Sequence, residues 1–231
     1  GFRIPTVMPQ AGLAGDLALR HALDVDTYDM YCGHTCSLVA VDVQATAAAF
    51  EKLFTQPELR RQMGEAGRAR AQVLYDWKPI IGQYEDLWDK LNEVRAAQSK
   101  DLQPLAHPWP ARMDPFHAFA SYPTQTLTPQ TVLALVDGEV DTALQRTKAY
   151  RQLAMVDFAK VILPTEAELE LVLRAAAQKE HKEEGQHPTA QALVKDIPAE
   201  RQAFVFRSLA WLLKLGVLKI VSDDRAMKTV S

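Results

Sequence analysis

Six prolines fall between Pro104 and Pro129 (Pro104, Pro108, Pro110, Pro115, Pro123 and Pro129), and neither a helix nor a central strand can run through such a stretch. The stretch reads as the best candidate for a domain boundary. Trp109, Phe116, Phe119 and Tyr122 are interleaved with the prolines. A disordered linker holds few aromatics, so the segment is expected to pack along a surface. The organisation that follows is residues 1–98, a Pro/aromatic-rich linker over 99–128, and a helical domain over 129–231.

Before the linker, Gly1 to Thr6 alternates apolar and polar residues up to Pro5 and reads as a short strand. A chain that opens inside a strand is expected to be a fragment of a longer protein. Pro9 to Gly15 reads as loop, Asp16 to Leu23 as a short helix, and Asp24, Asp26 and Asp29 with Tyr28 and Tyr31 as an acidic, aromatic loop. Ser37 to Val43 reads either as a strand or as the opening of the helix that continues to Phe54, with Asp42 as its N-cap. Pro57 starts a helix to about Tyr75, with Leu59, Met63, Ala66 and Val73 at helical spacing. Asp76 precedes Trp77, and Pro79 lies near the start of a further helix. Its stripe is Ile80, Ile81, Tyr84, Leu87, Trp88 and Leu91, at i, i+3, i+4 and i+7. Leu59, Met63 and Val73 read as a core stripe. Trp77 is expected to plug the junction of the two helices, and Trp88 to pack the last helix onto another domain.

After the linker, Thr131 to Val136 reads as a helix broken near Gly138, and Thr142 to Val161 as a second. Pro164-Thr165 followed by Glu166 and Glu168 is an N-terminal signal for a helix to about Glu180. A charged connection over 178–186 leads to a short helix, Thr189 to Lys195. Pro198 then opens a strongly apolar helix to Leu215, with Gly216 as C-cap and Val217 to Val221 as a strand. The order of these elements over 164–225 resembles a winged-helix domain. In that reading the helix ending at Leu215 stands where DNA readers place their recognition face. It carries only Arg201, Arg207 and Lys214 as basic residues, and an all-round apolar helix is buried. A protein contact or a structural role is expected, and nucleic acid is disfavoured.

The chemistry-bearing residues are sparse. Cys32 and Cys36 are separated by Gly33-His34-Thr35, with His21 or His34 as conceivable further ligands. The spacing is not the C-x-x-C of zinc ribbons and no second cysteine pair exists, so the pair reads as reduced thiols and no metal is expected. His107, His117, His181 and His187 show no zinc-protease or triad spacing, Asp223-Asp224 reads as a solvated turn, and no Gly-rich phosphate loop is present. Catalytic residues are expected to be absent. With 48% hydrophobic residues, 24% charged residues and a net charge of −3, bulk electrostatics do not favour a nucleic-acid binder. No apolar run reaches the length of a transmembrane helix, and the expected location is cytoplasmic.

Residues 37–91 carry a resemblance. They contain Val39-Ala40-Val41-Asp42, then Phe50 and Leu53, and then Pro57-Glu58-Leu59-Arg60-Arg61-Gln62-Met63-Gly64-Glu65-Ala66-Gly67-Arg68. Tyr75-Asp76-Trp77 and Gln83-Tyr84-Glu85-Asp86-Leu87-Trp88 follow. This order resembles the C-terminal tail of family-four retaining glycosyltransferases, GT-B enzymes with two Rossmann-like domains facing a cleft. Gly1-Phe2-Arg3-Ile4-Pro5 looks like the strand after that family's donor-binding loop. The resemblance implies a parent enzyme that takes a nucleotide-sugar donor and a glycan or glycoconjugate acceptor. Its phosphate-binding residues and its two glutamates seven residues apart would lie upstream of Gly1. Glu51 and Glu58 share that spacing, but their context is a solvated helix face. The chain is therefore expected to be mainly α with few short strands. It would be the truncated end of a Rossmann-like α/β domain, inactive alone and without a cofactor of its own. A helical, winged-helix-like domain that could meet a protein partner would follow.

Overall fold

The structure, a computed structural model, describes residues 1–100, 113–177 and 187–221. The protein is mainly helical with a few short strands. In chain order the elements are β1 (Thr6–Pro9), α1 (Gly15–Ala22), α2 (Tyr28–Ser37), β2 (Ala40–Val41), α3 (Val43–Thr55), α4 (Pro57–Leu74) and α5 (Trp77–Gln98). There follow α6 (Pro115–Ala118), β3 (Gln125–Leu127), β4 (Leu133–Leu135), α7 (Val140–Arg151) and α8 (Ala154–Asp157). A 3-10 turn at Lys160–Ile162 precedes α9 (Glu166–Ala177), α10 (Ala190–Leu193), α11 (Ala199–Lys214) and β5 (Leu218–Ile220). Contacts group the chain into two units, one holding residues 4–43 with the described residues beyond 111, the other residues 1–3 with 44–100.

The first unit is organised around two small sheets. β1 runs antiparallel to β2 through Thr6↔Val41 and parallel to β3 through Val7↔Gln125 and Pro9↔Leu127. The register starts at Thr6, whose N–H donates to the Thr124 hydroxyl at 2.7 Å while its carbonyl accepts from the Thr124 N–H at 2.9 Å. This places the strand after Pro5 and not over Gly1 to Thr6 as the alternation suggested. Pro5 has no N–H for a ladder, and the pairing groups begin one residue later. Residues 4–43, grouped by sequence with the helices to 98, thus find strand partners at 124–127.

β4 pairs antiparallel with β5, Leu133↔Ile220 to Leu135↔Leu218, and Val132 bridges Thr189. A strand therefore stands where Thr131 to Val136 read as helix. Leu133, Ala134 and Leu135 are all buried, and a fully buried strand shows the same short apolar run as a buried helix turn. The expected loop at Tyr28 and Tyr31 is likewise helical: the Thr27 hydroxyl accepts the Met30 N–H at 3.2 Å and opens α2. The long helix expected from Thr142 stops at Arg151, and the chain turns at Leu153 so that Val156, Ala159 and Ile162 are buried.

The other signals fall where the elements begin and end. The Glu168 carboxylate accepts the Thr165 N–H at 2.8 Å while Thr165 Oγ1 accepts the Glu168 N–H at 3.2 Å, a reciprocal cap on α9. α11 closes at Gly216, φ +64°. The Gly216 N–H reaches the Leu213 carbonyl and the Val217 N–H the Leu212 carbonyl, each at 3.0 Å. This is the paired-carbonyl helix stop that a left-handed glycine permits. Leu17, Leu38, Phe116, Leu127, Leu133, Leu173, Leu193, Leu209, Leu212 and Leu218 are fully buried and make one core.

The second unit is α3, α4 and α5. Pro57 opens α4, and Asp76 caps α5 by accepting the Lys78 N–H at 3.1 Å. The expected core stripe of α4 is only partly covered. Leu59 and Met63 are half-buried, but Val73 is 70% exposed, Trp77 75% and Trp88 58%. Trp77 therefore does not plug the α4–α5 junction.

Candidate functional site

Polar groups converge most tightly on α1 and α2. Asp26 follows the end of α1, in a turn whose Asp24 takes φ +54°. Arg20 donates to Asp26 through Nε at 2.8 Å and Nη2 at 2.7 Å. His34, one helix away on α2, meets the same carboxylate from Nδ1 at 3.1 Å, and His21 Nδ1 lies 3.1 Å from the Asp26 carbonyl oxygen. The Arg20 guanidinium holds the Asp26 carboxyl below the usual carboxylate range, against the cost of burial and with help from His34. His34 has no solvent exposure, its ring stacks 4° from parallel on Phe158 at 5.5 Å, and its Nε2 has no hydrogen-bond partner among the described residues. Gly33 lets the Phe158 ring approach so closely, because a Cβ there would stand 2.9 Å from it.

A His–Asp pair of this kind can orient a base in an open site. Here both side chains are sealed, so the pair fixes α2 against α1 and has no route to a substrate. Sequence placed Asp26 in a loop and gave no sign that His34 was its partner. The two sit eight residues apart on either side of an unforeseen helix start.

The other sequence candidates are dispersed. Cys32 is half-buried and Cys36 exposed, and among the described residues no three His, Cys, Asp or Glu side chains cluster as metal ligands. Glu58 is taken up by Arg61, at 2.6 and 3.2 Å, on the exposed side of α4, and Glu51 is exposed on α3. His117 and His187 are exposed, while His107, His181 and Asp223-Asp224 lie outside the described residues.

The three basic residues of α11 are all engaged internally. Arg201 donates to Glu168 at 2.8 and 3.0 Å, Arg207 to Asp16, and the Lys214 ammonium to the Cys36 carbonyl at 2.6 Å. Val205 to Leu212 are buried. α11 offers no basic face to a phosphate backbone. The shallow depression lined by Arg151, Asp157, Lys160 and Glu166 is similarly self-neutralised, with Lys160 on Asp157 at 3.1 Å and Arg151 on the Pro164 carbonyl at 2.8 Å.

What stands open is apolar. Trp77, Ile81, Tyr84, Leu87, Trp88, Leu91 and Val94 along α5 are each 47–75% exposed, and Tyr84 and Trp88 lie 5.9 Å apart. These side chains form the most extended open apolar stripe on a helix among the described residues. Among the described residues, no helix is long and apolar enough to cross a membrane. Comparison with protein-family profiles, with curated proteins and with solved structures gives no match to this chain.

Proposed function

We propose that the chain is the C-terminal portion of a retaining glycosyltransferase, supplying the last elements of a Rossmann-like donor domain and an appended helical region. One observation carries the reading: the resembling motifs coincide with element boundaries. Pro57-Glu58-Leu59-Arg60 opens α4, Tyr75-Asp76-Trp77 forms the α4–α5 turn, and Tyr84 and Trp88 lie on the helix that ends the unit with its aromatics uncovered. Sugar transfer would be the work of the whole enzyme, with a nucleotide sugar as donor and a glycan or glycoconjugate as acceptor. Glu51 and Glu58, the two glutamates seven residues apart, both lie exposed on α3 and α4.

Calorimetric titration of the chain with uridine and guanosine diphosphate sugars tests the reading. No heat of binding is expected from the chain alone, and binding is expected once the coding sequence upstream of Gly1 is included. Firm nucleotide-sugar affinity in the chain alone would contradict it, as would an upstream sequence without two glutamates seven residues apart.

A second reading concerns α9 to β5. The succession α9, α10, α11, Gly216 and β5, with Thr189 bridging Val132 beside the β4–β5 pair, supports a winged-helix-like module that meets a protein partner. Because Arg201, Arg207 and Lys214 are occupied, duplex DNA is expected not to bind even at low salt. Salt-dependent duplex binding would reverse that assignment.

A further inference from the structure

The apolar stripe of α5 repeats every seven residues. With Trp77 at position a, the a sites are Trp77, Tyr84 and Leu91 and the d sites are Ile80, Leu87 and Val94. Ile81 and Trp88 fall at e. Glu85, Asp86, Asp89 and Glu93 fall only at b, c and f, away from the seam. This seam, widened by Ile81 and Trp88 and with acidic residues on the far side, is the pattern of an amphipathic helix that lays its apolar face on another helix. Ile80 is half-buried, while the other five seam residues are 48–75% exposed. With Ile81 and Trp88 they present about 800 Å² of apolar side chain, what one partner contributes to a standard interface.

We propose that α5 pairs with α5 of a second copy of this chain as an antiparallel coiled coil. Antiparallel pairing about Glu85–Asp86 sets each a site against a d site. Trp77 meets Val94 of the second copy, Ile80 meets Leu91, and Tyr84 meets Leu87. The two largest seam residues thus face smaller ones, which is how facing layers fill space. Ile81 meets Trp88 at the flank, and Lys90 faces Gln83. The parallel alternative stacks Trp77 on Trp77 and Tyr84 on Tyr84, and brings Lys90 against Arg95, a like-charge contact. Size and charge both select the antiparallel arrangement. The pairing does not rest on the glycosyltransferase reading.

Sedimentation equilibrium of the full chain across micromolar concentrations tests it. A reversible dimer is expected. Leu87→Glu, which puts carboxylates into the two central layers, should weaken it at least about tenfold with unchanged helicity by circular dichroism. Gln83→Glu should tighten it by about two- to fivefold, because the new carboxylate faces Lys90 of the second copy. Arg95→Glu should not tighten it. A monomer at every concentration, a dimer indifferent to Leu87→Glu, or tightening by Arg95→Glu and not by Gln83→Glu would each overturn the proposal.

Discussion

Arg207 on α11 and Asp16 on α1, 191 positions apart, form a two-pronged ion pair in which the guanidinium is 2% exposed and the carboxylate still touches solvent. Arg207 Nη1 also donates to the Leu13 carbonyl at 2.7 Å, and the Phe204 ring lies 4.8 Å from the guanidinium. Removing Asp16 leaves a buried cation facing one carbonyl. Asp16→Ala is therefore expected to cost about 2–3 kcal/mol, measured by urea unfolding. Arg207→Met should cost less than Asp16→Ala, since it leaves no buried charge behind. Equal losses would show that the pair's own attraction, and not the uncompensated cation, sets the cost.

Stability should depend on pH through Glu168. Hydrogen bonds from Arg201 and from Thr165 lower its pKa to about 2, against the cost of burial. A carboxylate depressed in the folded state contributes its stability above the unfolded value near 4.5, and that contribution is lost as pH falls toward 2. Chemical denaturation should show a loss of about 1–2 kcal/mol from this group across that window, after allowance for the partly exposed Arg201. Glu168→Gln should flatten that part of the curve. An unchanged slope would remove the ion pair from the account.

The approach of Phe158 to Gly33 makes a sharp steric prediction. Gly33→Ala forces the new methyl against the ring, and the ring is already stacked on His34. A loss of about 1–3 kcal/mol is expected, read as a lowered Tm. Combining it with Phe158→Leu should cost less than the sum of the two single changes. Strict additivity would place the strain elsewhere.

Gly216→Ala separates conformational cost from crowding. The nearest atom to a Cβ there is an Arg146 nitrogen at 4.0 Å, so space is adequate and only φ +64° opposes the change. About 1 kcal/mol of destabilisation is expected in thermal unfolding, and Gly216→Asn should recover part of it. A loss well beyond that would point to contacts at β5.

Local punctuation was legible and distant partners were not. Pro57, the Thr165–Glu168 cap and Gly216 place helix ends within about a residue or two, because each acts through backbone groups within a turn of itself. Leu133–Leu135 misled because burial on both sides removes the alternation that separates strand from helix. Asp24, Asp26 and Asp29 read as loop, and the Thr27 cap that opens α2 went unread among them. Arg207 counted in sequence as part of a candidate recognition face, and only the fold shows Asp16 already waiting for it. The stripe on α5 was legible as a face, but Trp77 was expected to plug the α4–α5 junction and is 75% exposed, since periodicity reports which side is apolar and not what covers it.

The parallel ladder between β1 and β3 has a consequence for synthesis. Thr6 must wait for Thr124, 118 residues later, before its outer edge is satisfied. A nascent chain released short of Leu127 carries β1 with one row of peptide groups open to any passing strand. Truncations that stop within 99–123 are thus poor choices for expressing the first half of this protein, and the hazard they meet is aggregation on the ribosome's doorstep rather than loss of a ligand.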